Sequence, residues 1–168
     1  DKGDLTTISE LRLLSGTLPA LKFYMTDKGK EGNWYYDADD ITSLDNTGTV
    51  VVTSDGKRIK RVIGAAVIAE WFGAKYDGVT DDTLALQKAI SFALKNKYTF
   101  KFKDNSKTIV SNYLHDDVNI GNDISIDFGM NCKIEVADSA ANFSALFLIN
   151  QDIKYNFFTK GNVEIDLK

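Results

Sequence analysis

The chain has 168 residues, of which 43% are hydrophobic and 11% aromatic, enough for the core of one domain or two small ones. Its 20 basic and 24 acidic residues give a net charge of −4, and no basic run stands clear of acidic neighbours, so neither nucleic acid nor a membrane is expected as a partner. A single cysteine, Cys132, and a single histidine, His115, exclude an internal disulfide and Cys- or His-rich metal sites within these residues.

The first predicted element is a short helix over residues 7–16. Thr7 and Glu10 have the spacing of a capping box, in which a hydroxyl and a carboxylate satisfy free amides at the helix start. One face of this helix carries the apolar residues Ile8, Leu11 and Leu14. Gly16 is predicted to take the left-handed position at the helix end, and Pro19 prevents continuation.

Residues 21–62 show a β pattern. Short strands are predicted at 23–25 and 34–36, and a hairpin is predicted to pair 49–53 with 59–63. The dipeptide Asp55-Gly56 between the last two runs tolerates the positive φ angles of a tight hairpin turn. Residues 64–70 are interpreted as a link. We therefore predict a small α+β module over residues 1–66.

A longer helix is predicted at about 83–96, with Asp81 or Asp82 capping its start. Its apolar face is predicted to hold Leu84, Leu86, Ile90, Ala93 and Leu94. Only short strands follow, at 98–103, 107–111, 118–120, 124–128, 133–136, 145–150, 155–159 and 163–167. Strands of this length, separated by Asn, Asp, Gly and Ser, fit either a sandwich or a solenoid, and periodicity leaves both open.

The segment W-F-G-A-K-Y-D-G-V-T-D-D-T, residues 71–83, runs directly into this helix. It resembles the pattern F-G-A-x-x-D-G-x-x-D-D-T that opens pectin-lyase-like parallel β-helices, a family that includes phage tailspikes, capsule depolymerases and polygalacturonase-related enzymes. We call it the loop–helix motif. The positions of interest are Trp71, Phe72, Gly73, Asp77, Gly78, Asp81, Asp82 and Thr83. Tyr76 departs from the pattern, because the family commonly has a small residue there.

A structural role for the loop–helix motif follows from its residue types. The end of a solenoid exposes unpaired strand edges and an apolar core, so the helix from Thr83 can serve as its cap. The two glycines permit tight turns that bring Trp71 and Phe72 over the helix. The aspartates can accept hydrogen bonds from loop amides and from the helix start. This role is favoured over a calcium site or a catalytic pair, so no catalytic residue, cofactor or metal is assigned.

The region before the motif resembles an N-terminal region of phage tailspikes and related bacterial surface proteins. The resemblance implies a mainly β protein with some α structure. A connector module over 1–66 precedes a capping helix and the first coils of a right-handed parallel β-helix over 67–168. The sequence lacks an initiator Met and ends in a strand-like pattern at 163–167, so we expect both ends to be cuts in a longer product.

The expected function is that of the N-terminal structural part of a phage tailspike or tail fibre. The resemblance implies a homotrimer located on the virion, bound to other tail or baseplate proteins. Host surface polysaccharide would be bound or depolymerised by coils beyond Lys168, and whether the full-length protein is an enzyme stays open. The alternative is the N-terminal part of a secreted bacterial polysaccharide lyase or glycoside hydrolase. A third interpretation is a cell-surface adhesin.

Other groups of residues are interpreted as structural. Asp116-Asp117 fits a solvated turn better than an acid pair. The run 37–40 lacks the glycine and distal glutamate of a calcium loop. Cys132 fits a core position better than a nucleophile paired with His115. The only basic cluster is predicted to be a solvated face rather than a docking surface; it consists of Lys57, Arg58, Lys60 and Arg61. Core is favoured over sugar stacking for the aromatics Trp34, Tyr35, Tyr36, Phe157 and Phe158.

Overall fold

The computed structural model of the chain describes residues 4–116, 124–138, 147–148, 155–159 and 161–166. The chain divides into two compact units, Asp1–Ile63 and Gly64–Lys168. Strands predominate in both, so the predicted mainly β class with few helices is confirmed. None of the helices in the described ranges is long and apolar enough to cross a membrane.

From residue 4 onward, the first unit is a mixed sheet with one helix packed on it. Its elements are β1 (Asp4–Thr6), α1 (Ile8–Leu13), β2 (Lys22–Met25), β3 (Gly32–Asp37), β4 (Val50–Val52) and β5 (Arg58–Arg61). The strand order is β1-β2-β3-β5-β4, with β1 parallel to β2 and every other pair antiparallel. The core consists of Ile8, Leu11, Phe23, Met25, Trp34, Val51 and Ile59. Ile8 and Leu11 belong to α1, and the other core residues lie on the face of the sheet that packs against it.

The capping box at the start of α1 is confirmed. Thr7 N donates to Glu10 Oε2 at 2.8 Å, and Glu10 N donates to Thr7 Oγ1 at 3.2 Å. The predicted helix end at Gly16 is wrong, since Leu14 is already extended. The Leu14 carbonyl instead accepts a hydrogen bond from Ser54 N at 3.2 Å, and this tertiary contact ends the helix early.

The predicted hairpin is confirmed by antiparallel pairing of β4 and β5, with Val51 opposite Ile59. Thr53 N donates to the Lys57 carbonyl at 2.9 Å and closes the connection, and Gly56 supplies a φ of 88°. Such a left-handed conformation is cheap for glycine and costly for most other residues.

The described residues of the second unit form strands, one 3-10 turn and one helix. Its elements are β6 (Ala66–Ile68), the 3-10 turn Ala69–Phe72, β7 (Asp77–Asp81), α2 (Thr83–Lys95), β8 (Thr99–Lys101), β9 (Lys107–Val110), β10 (His115–Asp116), β11 (Ile124–Asp127), β12 (Cys132–Val136), β13 (Phe147–Leu148), β14 (Tyr155–Phe158) and β15 (Val163–Asp166). The strand predicted at 118–120 lies outside the described residues.

The strands in the described part of this unit form three parallel sheets. Their strand orders are β6-β8-β11-β14, β7-β9-β12-β15 and β10-β13. All strand pairs in the three sheets are parallel. Neighbouring strands of one sheet come from segments that are far apart in the chain. For example, Thr99 and Ser125 are 26 residues apart, yet their hydroxyl oxygens lie 3.1 Å from each other. An antiparallel sandwich would show hairpin pairs instead.

Two predictions for this unit need correction. Residues 64–70 are not a plain link, because they contain β6 and the 3-10 turn, and Val67 of β6 is fully buried. The part of the loop–helix motif before α2 is not simply a loop, because its residues Asp77–Asp81 form β7, which pairs irregularly with β9. Three-residue and irregular strands are too short to produce a readable alternation of apolar and polar positions.

The helix α2 matches its prediction closely and covers the apolar interior. Its buried residues are Thr83, Leu86, Ala89, Ile90, Ala93 and Leu94. Leu84 was predicted on the same face, yet it is 70% exposed. Below the helix, the Phe102 ring lies between two others, with its centroid 4.9 Å from Phe100 and 5.2 Å from Phe128. Burial of these groups is the main stabilising term of the unit.

Candidate functional site

Asp82, the residue before the first residue of α2, is only 2% exposed. Its Oδ1 accepts a hydrogen bond from Lys75 N at 2.7 Å, and its Oδ2 accepts one from Tyr76 N at 3.0 Å. Thr108 of β9 also donates its hydroxyl to Oδ2, at 3.1 Å. Asp82 stands at the N-cap position of α2 but makes no capping bond with its side chain. The carboxylate instead links the loop before β7 to β9, the neighbouring strand in the sheet, through hydrogen bonds to both.

Asp81 is the aspartate that caps α2. Its Oδ1 accepts hydrogen bonds from Thr83 N at 2.9 Å and from Thr83 Oγ1 at 2.5 Å, and its Oδ2 is bonded to the Ser111 hydroxyl. Burial acts to raise the pKa of Asp81, but the hydrogen bonds from Ser111 and Thr83 outweigh it and hold the pKa below its ordinary value. The helix start is thereby tied to the segment that follows β9.

Asp77 organises its own turn at the surface. Its carboxylate accepts hydrogen bonds from Thr80 N at 2.7 Å, from Val79 N at 2.9 Å and from Thr80 Oγ1 at 2.8 Å. The hydrogen bond from Thr80 N is the largest of the causes that lower the pKa of Asp77 to about 2.

Across the described ranges, no three or more His, Cys, Asp or Glu side chains are grouped so as to hold a metal ion.

The glycines and aromatics of the motif shape the loop. Gly73 ends the 3-10 turn with a φ of 105°, and its N–H donates to the Glu70 carbonyl at 3.1 Å. Gly78 has a φ of 73°, and a Cβ there would lie 2.9 Å from the Lys107 side chain. Trp71 is half-buried, and the ring of Phe72 lies 6.1 Å from that of Phe92 in α2. The 3-10 turn thus rests against the helix.

Two further residues, Tyr76 within the motif and Glu70 directly before it, were not among the predicted positions of interest. Tyr76 is 8% exposed and has a φ of 54°, an unusual conformation for an aromatic residue. Glu70 lies in the 3-10 turn with one carboxylate oxygen buried. Burial raises the pKa of Glu70 above its ordinary value. The sequence pointed to Tyr76, because this residue departs from the family pattern. No feature of the sequence pointed to the burial of Glu70.

The basic cluster at 57–61 was predicted to be a solvated face, and this is wrong for Arg61. Its side chain is buried and donates to the carbonyls of Gly48 at 2.7 Å and Lys30 at 2.7 Å. Lys60 forms ion pairs of 2.8 Å with both Asp37 and Asp40. Burial lowers the pKa of Arg61 to about 10, so it stays charged at neutral pH. The cluster therefore serves the internal structure of the first unit.

The remaining candidates are also accounted for. Cys132 is buried with its sulfur 3.8 Å from the Ser106 hydroxyl, and burial raises the pKa of its thiol. Trp34 is 1% exposed, as predicted for a core residue, whereas Tyr35 is 39% exposed. Asp117 lies outside the described residues, and so do the side chains of His115, Asp116, Phe157 and Phe158.

The first unit is similar to a known family. Residues 4–64 match the family described as a phage tail protein small four-stranded β-sheet domain. The sheet of the first unit has five strands, since β1 adds a parallel strand at one edge. The match covers the module predicted from the sequence to resemble a tailspike N-terminal region.

Solved structures extend the likeness to the second unit. The tailspike protein of Acinetobacter baumannii phage AM24 is similar with a TM-score of 0.63 and 20% identity, covering 95% of this chain and 32% of that one. The enzymatically active domain of bacteriophage CBA120 tailspike protein 4 gives 0.60 and 14%, covering 97% and 24%. The full-length tailspike protein 2 of Escherichia coli O157:H7 bacteriophage CAB120 gives 0.54 and 20%, covering 92% and 20%.

The chain thus spans about a third or less of the length of these tailspikes. The predicted resemblance to phage tailspikes is confirmed by the phage tail family and by the shared fold. The alternative of a secreted bacterial lyase or hydrolase is not favoured, because residues 4–64 match a phage tail family and the solved structures of similar fold described above are tailspikes.

Proposed function

We propose that this chain is the N-terminal part of a phage tailspike, in which a small connector module attaches a receptor-binding β-helix to the virion. The connector corresponds to the first unit, predicted as residues 1–66, and the parallel β-helix begins in the second unit, predicted as residues 67–168. The observation that carries this proposal is the order of the two parts: a phage tail β-sheet domain over 4–64 runs directly into parallel sheets closed by α2.

The second unit is proposed to be the start of a right-handed parallel β-helix. Parallel pairing in all three sheets supports it, as does the 26-residue separation at which Thr99 contacts Ser125 and Asn105 contacts Asn131. A β-helix exposes an apolar interior at its end, and α2 supplies the cover. The loop–helix motif fixes α2 in place, because Asp81 caps its first turn and Asp82 ties the preceding loop to β9.

The wider role is inferred from the family. Tailspike architecture favours a homotrimer bound to other tail or baseplate proteins, with host surface polysaccharide bound by further coils of a longer protein. The aspartates of the motif are engaged with backbone amides and hydroxyl groups, an arrangement that suits a structural role better than catalysis. We therefore assign no catalytic step to residues 1–168.

The test uses the full-length protein and phage particles. Light scattering should give a trimer, and electron microscopy with an antibody against residues 67–168 should label phage tails. Particles assembled with a variant lacking residues 4–64 should lose that label while the variant remains soluble. A monomer that is absent from particles would refute the proposal and point to a secreted protein, to be assayed on acidic polysaccharides.

A further inference from the structure

The segment 83–103, which contains α2 and β8, is basic although the chain as a whole is acidic. All 24 acidic residues of the chain lie outside this segment, whereas only 15 of the 20 basic ones do. The expectation that no basic run stands clear of acidic neighbours is therefore wrong here. Apolar residues separate the basic residues in sequence and so hide the run. Its five members are Lys88, Lys95, Lys97, Lys101 and Lys103.

Three of these five lysines have no carboxylate partner. The last two lie near acids, at 3.2 Å from Asp104 and 4.0 Å from Glu70. Within the described part of the chain, Lys88, Lys95 and Lys97 are exposed and form no ion pair. Lys88 and Lys95 are seven positions apart on α2, so about 10 Å along the helix axis separates them. Unpaired charges of one sign at this spacing attract a polyanion.

Lys97 stands at the left-handed position that follows α2, with a φ of 61°. Tyr98 N donates to the Ala93 carbonyl at 2.8 Å and closes this cap. Glycine is favoured at such a position, because a side chain strains the left-handed backbone. The helix macrodipole favours a cation near this end, but Lys95 already supplies one, and Lys88 lies outside the last turn. The cap therefore does not account for a lysine at position 97.

A row of three aromatic rings lies beside these lysines. Phe92 follows Lys88 by one turn of α2 and precedes Lys95 by one turn. The Phe92 ring lies 6.1 Å from that of Phe72 and 6.4 Å from that of Tyr98, to which it is nearly parallel. All three rings are half-buried, so part of each stays open to solvent. A sugar ring has apolar C–H faces that pack against aromatic surfaces, and an acidic sugar adds a carboxylate for a lysine.

We propose that Lys88, Lys95 and Lys97, here called the lysine surface, bind an acidic polysaccharide beside the aromatic row. The inference rests on the proposed function, which makes host surface polysaccharide a partner of the longer protein, and it adds a contact on the capping helix itself. Nucleic acid is disfavoured, because duplex DNA carries a charge every ~1.7 Å of its axis and its binders present dense basic contacts. Charges spread over about 10 Å suit a polymer whose carboxylates are separated by whole sugar rings.

The test is the binding of the whole chain to immobilised polygalacturonate, measured by surface plasmon resonance. Neutral dextran and single-stranded poly-dT serve as comparison polymers. The parent chain should bind polygalacturonate in preference to both, and the affinity should fall between about 20 mM and about 200 mM salt. The triple variant Lys88→Gln/Lys95→Gln/Lys97→Gln should bind at least about tenfold more weakly at the lower salt concentration.

Two further variants separate a binding surface from net charge and from helix capping. Lys22→Gln, at an exposed lysine of β2, removes a positive charge outside the lysine surface and should leave the affinity unchanged. Lys97→Gly relieves the left-handed backbone, so it should raise the midpoint of thermal unfolding while weakening binding several-fold. A purely structural role of Lys97 predicts the same stabilisation with unchanged binding.

Three results would overturn the proposal: unchanged binding by Lys97→Gly and the triple variant, equal binding to dextran, or equal binding to poly-dT. The last would show an unselective surface for polyanions. The measurement requires neither a trimer nor a virion. A negative result therefore leaves the proposed tailspike function standing, whereas a full-length monomer absent from particles would refute that function without affecting the polymer-binding result.

Discussion

The Arg61 guanidinium lies over the Trp34 ring, with its central carbon 4.6 Å from the ring centroid. The same group donates to the carbonyls of Gly48, Lys30 and Glu31, so one buried cation organises two loops and the aromatic core. Cation–π attraction and charge-assisted hydrogen bonds are strongest when both groups are buried. This pair is the polar centre of the first unit.

Replacement of Arg61 is therefore expected to destabilise the first unit strongly. Arg61→Ala leaves buried carbonyls unpaired and should lower the free energy of unfolding by on the order of 3 kcal/mol. The matched control is Arg12→Ala, because Arg12 pairs with Asp45 at the surface and should contribute no more than about 1 kcal/mol. Urea denaturation measures both changes in the free energy of unfolding. If both variants lost the same free energy of unfolding, the buried contacts of Arg61 would stabilise the unit no more than a surface ion pair does.

Two leucines two positions apart on α2 test the capping role of this helix. Leu86 is fully buried and Leu84 is 70% exposed. Leu86→Ala should lower the free energy of unfolding of the second unit by about 3 kcal/mol, because it opens a cavity beneath the cap. Leu84→Ala should change it by less than about 0.5 kcal/mol. Thermal unfolding measures both, and a large effect of Leu84→Ala would show that the exposed face of α2 is covered in solution.

The three hydrogen bonds of the Asp82 carboxylate predict a marked effect of its removal. Asp82→Ala leaves the buried amide of Tyr76 unpaired and should lower the free energy of unfolding by on the order of 3 kcal/mol. Asp127→Ala is the control, because Asp127 accepts a hydrogen bond from Gly129 N in a half-buried turn and should contribute about 1 kcal/mol. Chemical denaturation should rank the two variants in this order, and the reverse order would contradict the anchoring role of Asp82.

The turn at Asp77 predicts a measurable acid titration. In the folded chain Asp77 should titrate at a pKa of about 2, below the ordinary value of 3.8. Its contribution to stability is therefore present above pH 3.8 and lost as the pH falls through about 2. Thr80→Ala removes one of the hydrogen bonds and should move the pKa part of the way back, whereas Val79→Ala keeps the backbone donors and should not. NMR titration of the carboxyl carbons measures these values, and a pKa of 3.8 in the parent chain would refute the turn geometry.

Local patterns predicted local elements well. The capping box of Thr7 and Glu10, the hairpin at Asp55-Gly56 and the helix from Thr83 all depend on residues close in sequence, and each is found in the structure. The loop–helix motif was the strongest signal, because fixed glycines and aspartates act within thirteen positions of one another. The likeness to tailspikes followed from this motif and from the module before it.

Contacts between distant segments could not be predicted from the same patterns. In the sequence, Arg61 belongs to a basic run that is expected to be exposed. Its burial is favourable because its side chain donates hydrogen bonds to the loop carbonyls of Lys30 and Gly48, which are distant in sequence. The strands β6 and β7 are recognisable only through their parallel partners, β8 and β9. Strand partners separated by long stretches of chain leave no trace in a short window of sequence.

Cys132 gives the second unit a single chemical reporter of its opening. The thiol is 1% exposed in β12, between β9 and β15, and burial raises its pKa above the ordinary 9.0. Only the exposed thiolate reacts readily with alkylating reagents. The rate at which Cys132 is alkylated in the unmodified protein therefore measures how often these three strands separate, without any engineered probe.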